Sequence, residues 1–320
     1  MLRHGLAAFT LIVLATGCAD SGAERPEPAP APIDGATLPM PDGDLWYRVT
    51  GTGPGVPVVL LHGGPGFSSF YLKSLEGLGD DRPVIRYDQL GSGRSDGLAD
   101  PASFTLERFV DELEALREHL GVERFHVYGH SWGTMLATEY YQAYPERVAS
   151  LVLGSAALDA RAWERHTREL LQTLPDSMVE AVETREAERN YTAPDYQAAM
   201  DEFYARYVWR RPVTADLDSM MATFNAAMYE YMWGPSEFTV TGTLQEFDAK
   251  PMLGTVTVPV LYTVGEFDEA GPENIETFAR LTPGARVVVI PEAGHITAWD
   301  NREADLEAVR AFLREADGGS

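Results

Sequence analysis

The sequence predicts an α/β protein in which a mostly parallel sheet has helices on both faces and carries an inserted helical cap. Short apolar runs rich in β-branched residues recur along the 320 residues, as expected of strands buried on both faces. Amphipathic stretches with helical spacing separate these runs. A polar, helix-like stretch interrupts the alternation between residues 157 and 247.

The elements follow from these patterns in chain order. The apolar runs predict an edge strand over residues 45–49, followed by strands over 56–61, 84–87, 125–128, 151–153, 260–264 and 287–290. Helical spacing predicts a helix that is capped by Ser103 or Thr105 and stops at Gly121. Further helices are expected over 131–144, before Pro145, and over roughly 302–314.

The inserted stretch follows a central strand of the predicted sheet. Ligands bind outside the carboxyl ends of the strands in open α/β sheets, so an insertion there would cover the binding site. We therefore expect a core formed by residues 42–156 and 248–320, with a helical cap formed by residues 157–247.

The first 41 residues have the composition of an export signal and a tether. Residues 1–17 combine Arg3 with an apolar run too short to span a bilayer, which is typical of a secretory signal peptide. Small residues precede Cys18, as in a bacterial lipoprotein box, and predict lipidation of this cysteine. Residues 18–41 are rich in proline and predict an extended tether. The expected location is the bacterial cell envelope, and cleavage after Ala23 would instead give a periplasmic protein.

The charge and the cysteine content exclude several classes. The chain has 49 acidic and 25 basic residues and a formal net charge of −24, which argues against nucleic-acid binding. This charge favours a cationic ligand or serves solubility alone. Cys18 is the only cysteine, so no intrachain disulfide can form. The membrane contact that we expect is the lipid anchor alone.

A strand-turn-helix signal surrounds Ser131. The strand over 125–128 leads into Gly129-His130-Ser131-Trp132-Gly133 and then into a predicted helix. This context is that of a nucleophile elbow, in which a tight turn lifts a serine above the sheet and needs small neighbours. The pattern predicts that Ser131 is a nucleophile, whereas His130 is expected to be structural.

A serine nucleophile needs a base and an orienting acid. Asp268 and His295 each follow a predicted strand, in the Ser-acid-His order of α/β-hydrolases, and His295 is the only histidine after His166. The amide of Trp132 and that of Gly64, in the loop His62-Gly63-Gly64-Pro65-Gly66, are the expected oxyanion donors. This loop has neither a Walker lysine nor a Gly-x-Gly-x-x-Gly pattern, and we expect no cofactor or metal.

Several motifs together resemble the proline iminopeptidase family of α/β-hydrolases, which are serine aminopeptidases. They are the two glycine-rich motifs above and the segments Asp88-Gln89-Leu90-Gly91-Ser92-Gly93-Arg94-Ser95, Met232-Trp233-Gly234-Pro235-Ser236-Glu237-Phe238 and Gly265-Glu266-Phe267-Asp268-Glu269. The resemblance runs from about residue 45 to the C-terminus. Many members have arginine where Leu90 stands, and leucine there is more like the branch of tricorn-interacting aminopeptidases, whose proline preference is less strict.

The resemblance implies a substrate and its binding residues. Glu237 and Glu269 match glutamates that bind the free α-amine of the substrate in this family. Tyr229, Tyr231 and Trp233 would then wall a pocket for the first side chain. The implied function is release of an N-terminal proline or other apolar residue from short peptides with a free N-terminus, through an acyl-enzyme.

Two alternatives remain open at this stage. An esterase or amidase acting on a small acyl substrate could use the same fold and the same triad, because fold alone does not determine function. A non-catalytic envelope lipoprotein could keep the fold for binding. The complete set of Ser131, Asp268 and His295 argues against this second alternative.

Overall fold

The computed structural model describes residue 30, residues 32–98 and residues 100–318. The predicted signal peptide, residues 1–17, and Cys18 therefore lie outside the described residues. The strands are β1 Ile33–Met40, β2 Gly43–Thr50, β3 Val58–Leu61, β4 Val84–Tyr87, β5 Phe125–His130, β6 Val148–Gly154, β7 Val260–Gly265 and β8 Arg286–Ile290. They form one sheet in the order β1-β2-β4-β3-β5-β6-β7-β8.

Most of the sheet is parallel, as predicted. Strand β2 pairs in antiparallel fashion with both β1 and β4, and all the other neighbours pair in parallel. Every residue of β3 to β7 is buried, which explains why these segments are nearly continuous apolar runs. Strand β8 is an edge strand and is partly exposed.

Helices cover both faces of the sheet and form the cap. Outside the cap the helices are α1 Leu106–His119, α2 Trp132–Ala143, α8 Lys250–Leu253, α9 Pro272–Leu281, α10 Thr297–Asp300 and α11 Arg302–Ala316. The cap contains α3 Ala160–Leu171, α4 Asp176–Ala187, α5 Pro194–Tyr207, α6 Ala215–Ala222 and α7 Ala226–Met232. No helix in the described part of the chain is long and apolar enough to cross a membrane.

The alternation of side chains along the strands divides the apolar residues between two cores. In β3, Val59 and Leu61 pack in the core that contains α1, α2 and α9. Val58 and Leu60 face the other core, which contains α11 and the 3₁₀ segment Ser69–Asp80. The sheet is thus covered on both sides, in agreement with the predicted fold class.

The prediction of a tether over residues 18–41 is wrong for its last part. Residues Ile33–Met40 form β1, the edge strand that pairs with β2. Four apolar side chains of this strand pack against the core: Ile33, Ala36, Leu38 and Met40. The alternating prolines end at Pro32, so they do not prevent pairing, and Pro39 is tolerated because the strand lies at an edge.

The chain enters and leaves the cap side by side. The amide of Ala160 donates to the carbonyl of Phe247 at 3.0 Å, and the amide of Ala249 donates to the carbonyl of Leu158 at 2.9 Å. The cap boundaries at 157 and 247 remain a prediction, and this pairing agrees with them. Because both connections lie together, the cap is an insertion attached at one place.

Helix α1 carries a buried carboxyl group beneath the loop that follows β4. Glu112 is 1% exposed, and among the described residues its two carboxylate oxygens accept hydrogen bonds from the amide of Leu90 alone, at 3.2 Å each. Burial raises the pKa of Glu112 from 4.5 to about 8, although this hydrogen bond and the charge of Arg108 oppose the shift. Leu90 is itself fully buried, and its apolar side chain carries no charge that could neutralise the carboxyl group.

The raised pKa of Glu112 makes stability depend on pH. Between pH 4.5 and about 8 the folded state keeps the proton that the unfolded state releases, so this group lowers stability as the pH rises. Glu112→Gln keeps an acceptor for Leu90 and cannot ionise. We compare the melting temperature of this variant with that of the wild type at each pH. The difference, variant minus wild type, should be several degrees larger at pH 8 than at pH 5.

Thermal unfolding of both proteins at the two pH values checks this expectation. Glu118→Gln is the control, because Glu118 lies on the same helix with a side chain that is 69% exposed. An equal difference between Glu112→Gln and the wild type at pH 5 and at pH 8 would show that Glu112 does not titrate in this range.

Candidate active site

Ser131 lies on a tight turn between β5 and α2 and has φ 55° and ψ −123°. A positive φ is costly for a residue with a side chain and requires support from its surroundings. Gly129 and Gly133 provide the space. A Cβ at Gly129 would lie 2.3 Å from the carbonyl oxygen of Gly133, and a Cβ at Gly133 would lie 2.3 Å from that of Leu61. The elbow predicted from the motif is therefore present.

The predicted acid and base meet beside this turn. Asp268 follows β7 and His295 follows β8, and the Nδ1 atom of His295 lies 2.8 Å from Oδ1 of Asp268. Ser131 and His295 line the same cavity. The hydroxyl of Ser131 makes no hydrogen bond within the described residues, and in unliganded hydrolases such bonds often tighten only when substrate binds.

Asp268 is held in its charged form. Burial alone would raise its pKa, but the charge and hydrogen bond of His295 outweigh this effect and lower the pKa below its ordinary value. The amides of Ala270 and Gly265 also donate to its carboxylate, at 2.8 and 3.2 Å. A charged Asp268 suits the role of orienting the His295 ring.

Two backbone amides point to an oxyanion site. Gly64 and Trp132 line a small cavity together with Ser131. Among the described residues, neither amide donates a hydrogen bond to the protein, whereas the neighbouring amide of Gly63 donates to the hydroxyl of Tyr71 at 2.6 Å. Gly64 has φ 118°, which favours glycine, and a Cβ there would lie 2.6 Å from the nitrogen of Gly66.

Glu237 and Glu269 line the same cavity as Ser131, although 32 residues separate them in the chain. Glu269 is 1% exposed, and its Oε2 atom has no hydrogen-bond partner in the part of the chain that the structure describes. Its Oε1 atom lies 4.0 Å from Nε2 of His295. Neither carboxylate has a lysine or arginine partner within salt-bridge distance in the described ranges. The structure therefore brings together the two glutamates that the resemblance implied.

The electrostatics of this pair favour uptake of positive charge. Burial raises the pKa of Glu269 well above its ordinary value, and the charges of Glu237 and Asp268 add to the effect. Burial also raises the pKa of Glu237, while a hydrogen bond from the Tyr229 hydroxyl at 2.6 Å opposes the shift. Two carboxylates in one cavity repel each other unless a proton or another cation joins them.

Local structure explains how Glu237 reaches the cavity. Helix α7 ends at Met232, and Gly234 follows with φ 146°, where a Cβ would lie 2.1 Å from the carbonyl oxygen of Thr239. The chain therefore turns sharply at this glycine. The indole Nε1–H of Trp163 then donates to the carbonyl of Glu237 at 3.1 Å and fixes its backbone.

The predicted aromatic wall is only partly correct. Trp233 does line the small cavity beside Ser131, together with Trp163. Tyr229 holds Glu237 through its hydroxyl instead. The prediction for Tyr231 is wrong: its side chain is 39% exposed and contacts the ring of Phe104, because it projects from the outer side of α7.

Sequence reasoning missed Trp163 and Tyr71. Trp163 lies in the polar helix α3, where nothing in the sequence distinguishes it from a core aromatic residue. Tyr71 follows the glycine-rich loop without any motif of its own. Burial lowers the pKa of His130 to about 3, and the charge of His295 acts in the same direction. His130 also lines the cavity of Ser131, so its structural role stays a prediction.

No cluster of three or more His, Cys, Asp or Glu residues suited to a metal ion occurs among the described residues.

Comparison with known proteins agrees with this site. A family model for the alpha/beta hydrolase fold matches residues 56–302. A proline iminopeptidase from Heyndrickxia coagulans is 40% identical over 263 residues, which cover 82% of this chain and 91% of that protein. The crystal structure of a proline iminopeptidase from Mycobacterium smegmatis is 36% identical, with a TM-score of 0.82. The match covers 88% of this chain and 98% of that one.

The crystal structure of VinJ is similar as well, with a TM-score of 0.85, 32% identity and coverage of 89% of this chain and 100% of that one. The fold and the serine at its elbow define a serine hydrolase with the α/β-hydrolase fold. Its relatives define the group more narrowly: the chain belongs to the proline iminopeptidase family, a family of serine aminopeptidases. The expectation drawn from the motifs is confirmed.

Substitutions in the expected triad should remove most turnover. Ser131→Ala and His295→Ala should each lower kcat by at least about 10⁴-fold, and the double variant should be little worse, because triad members act as a unit. Asp268→Asn should lower kcat by about 10⁴-fold, since the imidazole would adopt the wrong tautomer. Hydrolysis of a prolyl fluorogenic amide measures these losses.

Labelling with a fluorophosphonate provides the control for the nucleophile. It should modify the wild type and should leave Ser131→Ala unmodified. Near-normal turnover or labelling in Ser131→Ala would rule out this serine as the nucleophile.

Proposed function

We propose that this protein is a serine aminopeptidase that releases a single N-terminal residue, proline or another compact apolar residue, from short peptides. The observation that carries the proposal is the pair Glu237 and Glu269, two carboxyl groups that share the cavity of Ser131 and have no lysine or arginine partner among the described residues. A substrate α-ammonium would supply the missing positive charge.

The chemistry follows from the groups around Ser131. Its Oγ attacks the carbonyl carbon of the first residue, and Nε2 of His295 takes the hydroxyl proton. The amides of Gly64 and Trp132 stabilise the negative charge that develops on the carbonyl oxygen. His295 then gives its proton to the leaving amine, which leaves an aminoacyl ester on Ser131. Water, activated by the same histidine, hydrolyses this ester and frees the amino acid.

The two glutamates explain why the enzyme would act only at a free N-terminus. Burying an ammonium without charged acceptors is costly, so its binding requires the carboxylates. A prolyl N-terminus is a secondary ammonium with two N–H donors, a number that the two carboxylates match. Once the ammonium is bound between them, a longer N-terminal extension would have to displace Glu237 or Glu269.

The small cavity beside Ser131 supports a preference for compact apolar side chains. Two tryptophan rings, Trp163 and Trp233, stand nearly perpendicular to each other with centroids 5.9 Å apart. Met135 and Ala157 complete this apolar lining. The pyrrolidine ring of proline is compact, rigid and apolar, and it suits such a pocket. Leucine at position 90, as in the tricorn-interacting branch, favours acceptance of other apolar residues as well.

The esterase alternative lacks such a supporting observation. An ester substrate without an amine would leave Glu237 and Glu269 with no cation to bind. Burial of two repelling carboxylates would then be a cost without a function.

We also propose that the protein is exported and anchored in the bacterial cell envelope through a lipid on Cys18. Support comes from the sequence alone: the short apolar run, the small residues before Cys18 and the proline-rich segment that follows. Stable anchoring requires two or more acyl chains, as one chain binds membranes only marginally.

Removal of either glutamate should weaken turnover of substrates that carry an amine. Each charge-assisted hydrogen bond contributes about 1.5–3 kcal/mol, so Glu237→Ala or Glu269→Ala should lower kcat/KM on a prolyl amide by about 10- to 150-fold. Glutamine at either position keeps an acceptor, and its effect should be smaller. On an acyl ester without an amine, the same variants should lose little activity.

The comparison of the two substrates distinguishes binding from structure. Glu266→Gln is a matched control, because Glu266 lies in the same loop as Glu269 but is exposed. Equal losses on substrates with and without an amine would show that the glutamates serve structure, and the esterase alternative would then be favoured.

Substitution of Cys18 tests the anchor. In a bacterial host, wild-type protein should be found in the membrane fraction, and Cys18→Ala should move to the soluble envelope fraction. Activity per molecule should be unchanged, since the substitution lies outside the catalytic core, and this shows that the variant is folded. The same partitioning of both proteins would refute lipidation.

A further inference from the structure

A chain of buried hydrogen bonds runs along one wall of the cavity that contains Ser131. The amide of Gly63 lies 2.6 Å from the hydroxyl oxygen of Tyr71. This hydroxyl lies 2.9 Å from Nδ1 of His130, and Nε2 of His130 lies 2.8 Å from the carbonyl oxygen of His295. Tyr71 is 3% exposed and His130 is 2% exposed. The chain therefore exchanges little with water.

The donors determine the direction of this chain. The amide of Gly63 can only donate, so the oxygen of Tyr71 accepts from it. Tyr71 gives its own proton to Nδ1 of His130, because Nε2 carries the single proton of the neutral ring. The His295 carbonyl can only accept, so the proton of His130 must lie on Nε2. Burial lowers the pKa of His130 to about 3, and the ring stays neutral with this single arrangement of protons.

This chain of hydrogen bonds joins two loops, and the chemistry requires a fixed distance between them. Gly63 precedes Gly64, the expected oxyanion donor, in the loop after β3. His295 lies in the loop after β8, and β5, β6 and β7 separate these two strands in the sheet. No strand pairing links the two loops directly, and two side chains hold the His295 carbonyl: Nε2 of His130 and the hydroxyl of Ser155, each at 2.8 Å. His130, which precedes the nucleophile, lies between them.

We propose that Tyr71 and His130 are positioning residues that hold the oxyanion loop and the His295 backbone in register around Ser131. Both line the cavity of Ser131, and they act through Gly63 and through the His295 carbonyl. This role rests on the proposed serine chemistry but does not depend on the amine specificity. A shift of about 1 Å in such groups can cost about 10²-fold in rate.

Tyr71→Phe is the mildest test, because it removes one oxygen and keeps the ring. It leaves the Gly63 amide and Nδ1 of His130 without their partner. We expect kcat to fall by about 10- to 100-fold with KM changed less than about twofold, since the glutamates that bind the amine are untouched. The loss should be similar on a prolyl amide and on an amine-free acyl ester.

Tyr87→Phe is the matched control for loss of a buried hydroxyl. Tyr87 is fully buried, and its hydroxyl has no hydrogen-bond partner among the described residues. This variant should keep the wild-type kcat. An equal fall of kcat in Tyr87→Phe, or an unchanged kcat in Tyr71→Phe, would overturn the proposal.

Substitutions of His130 test the second half of the chain. His130→Gln retains an N–H donor for the His295 carbonyl, whereas His130→Leu retains none, so the glutamine variant should keep more of the wild-type kcat. Tyr71→Phe combined with His130→Leu should cost little more than His130→Leu alone, because both break one chain. Independent, additive losses would contradict a shared role.

The rate of fluorophosphonate labelling separates this proposal from the proposed function. The reagent has no amine, so its reaction with Ser131 reports the geometry of the nucleophile, the base and the oxyanion donors without any contribution from amine binding. Slower labelling in Tyr71→Phe would support the positioning role, whatever the substrate. If the wild type also turned over no aminoacyl amide, the proposed aminopeptidase function would be refuted while the positioning role stood. Unchanged labelling in Tyr71→Phe would refute the positioning role and leave the aminopeptidase intact.

Discussion

The backbone of Ser131, with its φ of 55°, is the constraint on which the rest of the site depends. A serine tolerates this conformation only where the surrounding packing enforces it. Gly129 and Gly133 allow that packing, because any side chain there would collide with backbone. The close approach of Gly133 to Leu61 brings the start of α2 against the end of β3. The glycine-rich loop after β3 is thereby placed beside the nucleophile, where its amides can act on a substrate.

A second constraint comes from the cap. Glu237 belongs to the inserted segment and Glu269 to the core, so the carboxylate pair exists only when the cap is docked. Backbone hydrogen bonds attach the cap to the catalytic loops: the amide of Asn225 donates to Gly66 at 2.9 Å, and the amide of His295 donates to Tyr207 at 2.8 Å. In the proposed function the cap would thus supply recognition, and its hydrogen bond to the His295 amide also supports the base.

The sequence predicted those parts of the fold whose physical signal is local. Strands β3 to β7 are buried on both faces, and their nearly continuous apolar runs identify them. Strand β1 was missed because proline-rich residues precede it and its alternation, from Ile33 to Met40, is weak. Tyr231 was misassigned because a run of aromatic residues does not tell which side of a short helix faces the pocket. Tyr71 acts through tertiary contacts with Gly63 and His130, and no local pattern encodes such contacts.

In the proposed function, Glu269 would connect amine recognition to the chemistry. Its Oε1 atom lies 4.0 Å from Nε2 of His295, the nitrogen that must take the proton of Ser131. Burial and the charges of Glu237 and Asp268 raise the pKa of Glu269 well above its ordinary value, which favours its protonated form in the absence of substrate. An ammonium bound between Glu237 and Glu269, as proposed, would favour the charged form of both carboxyl groups. The correct substrate would therefore complete the site electrostatically as well as fill it, and an amine-free molecule of the same size would not.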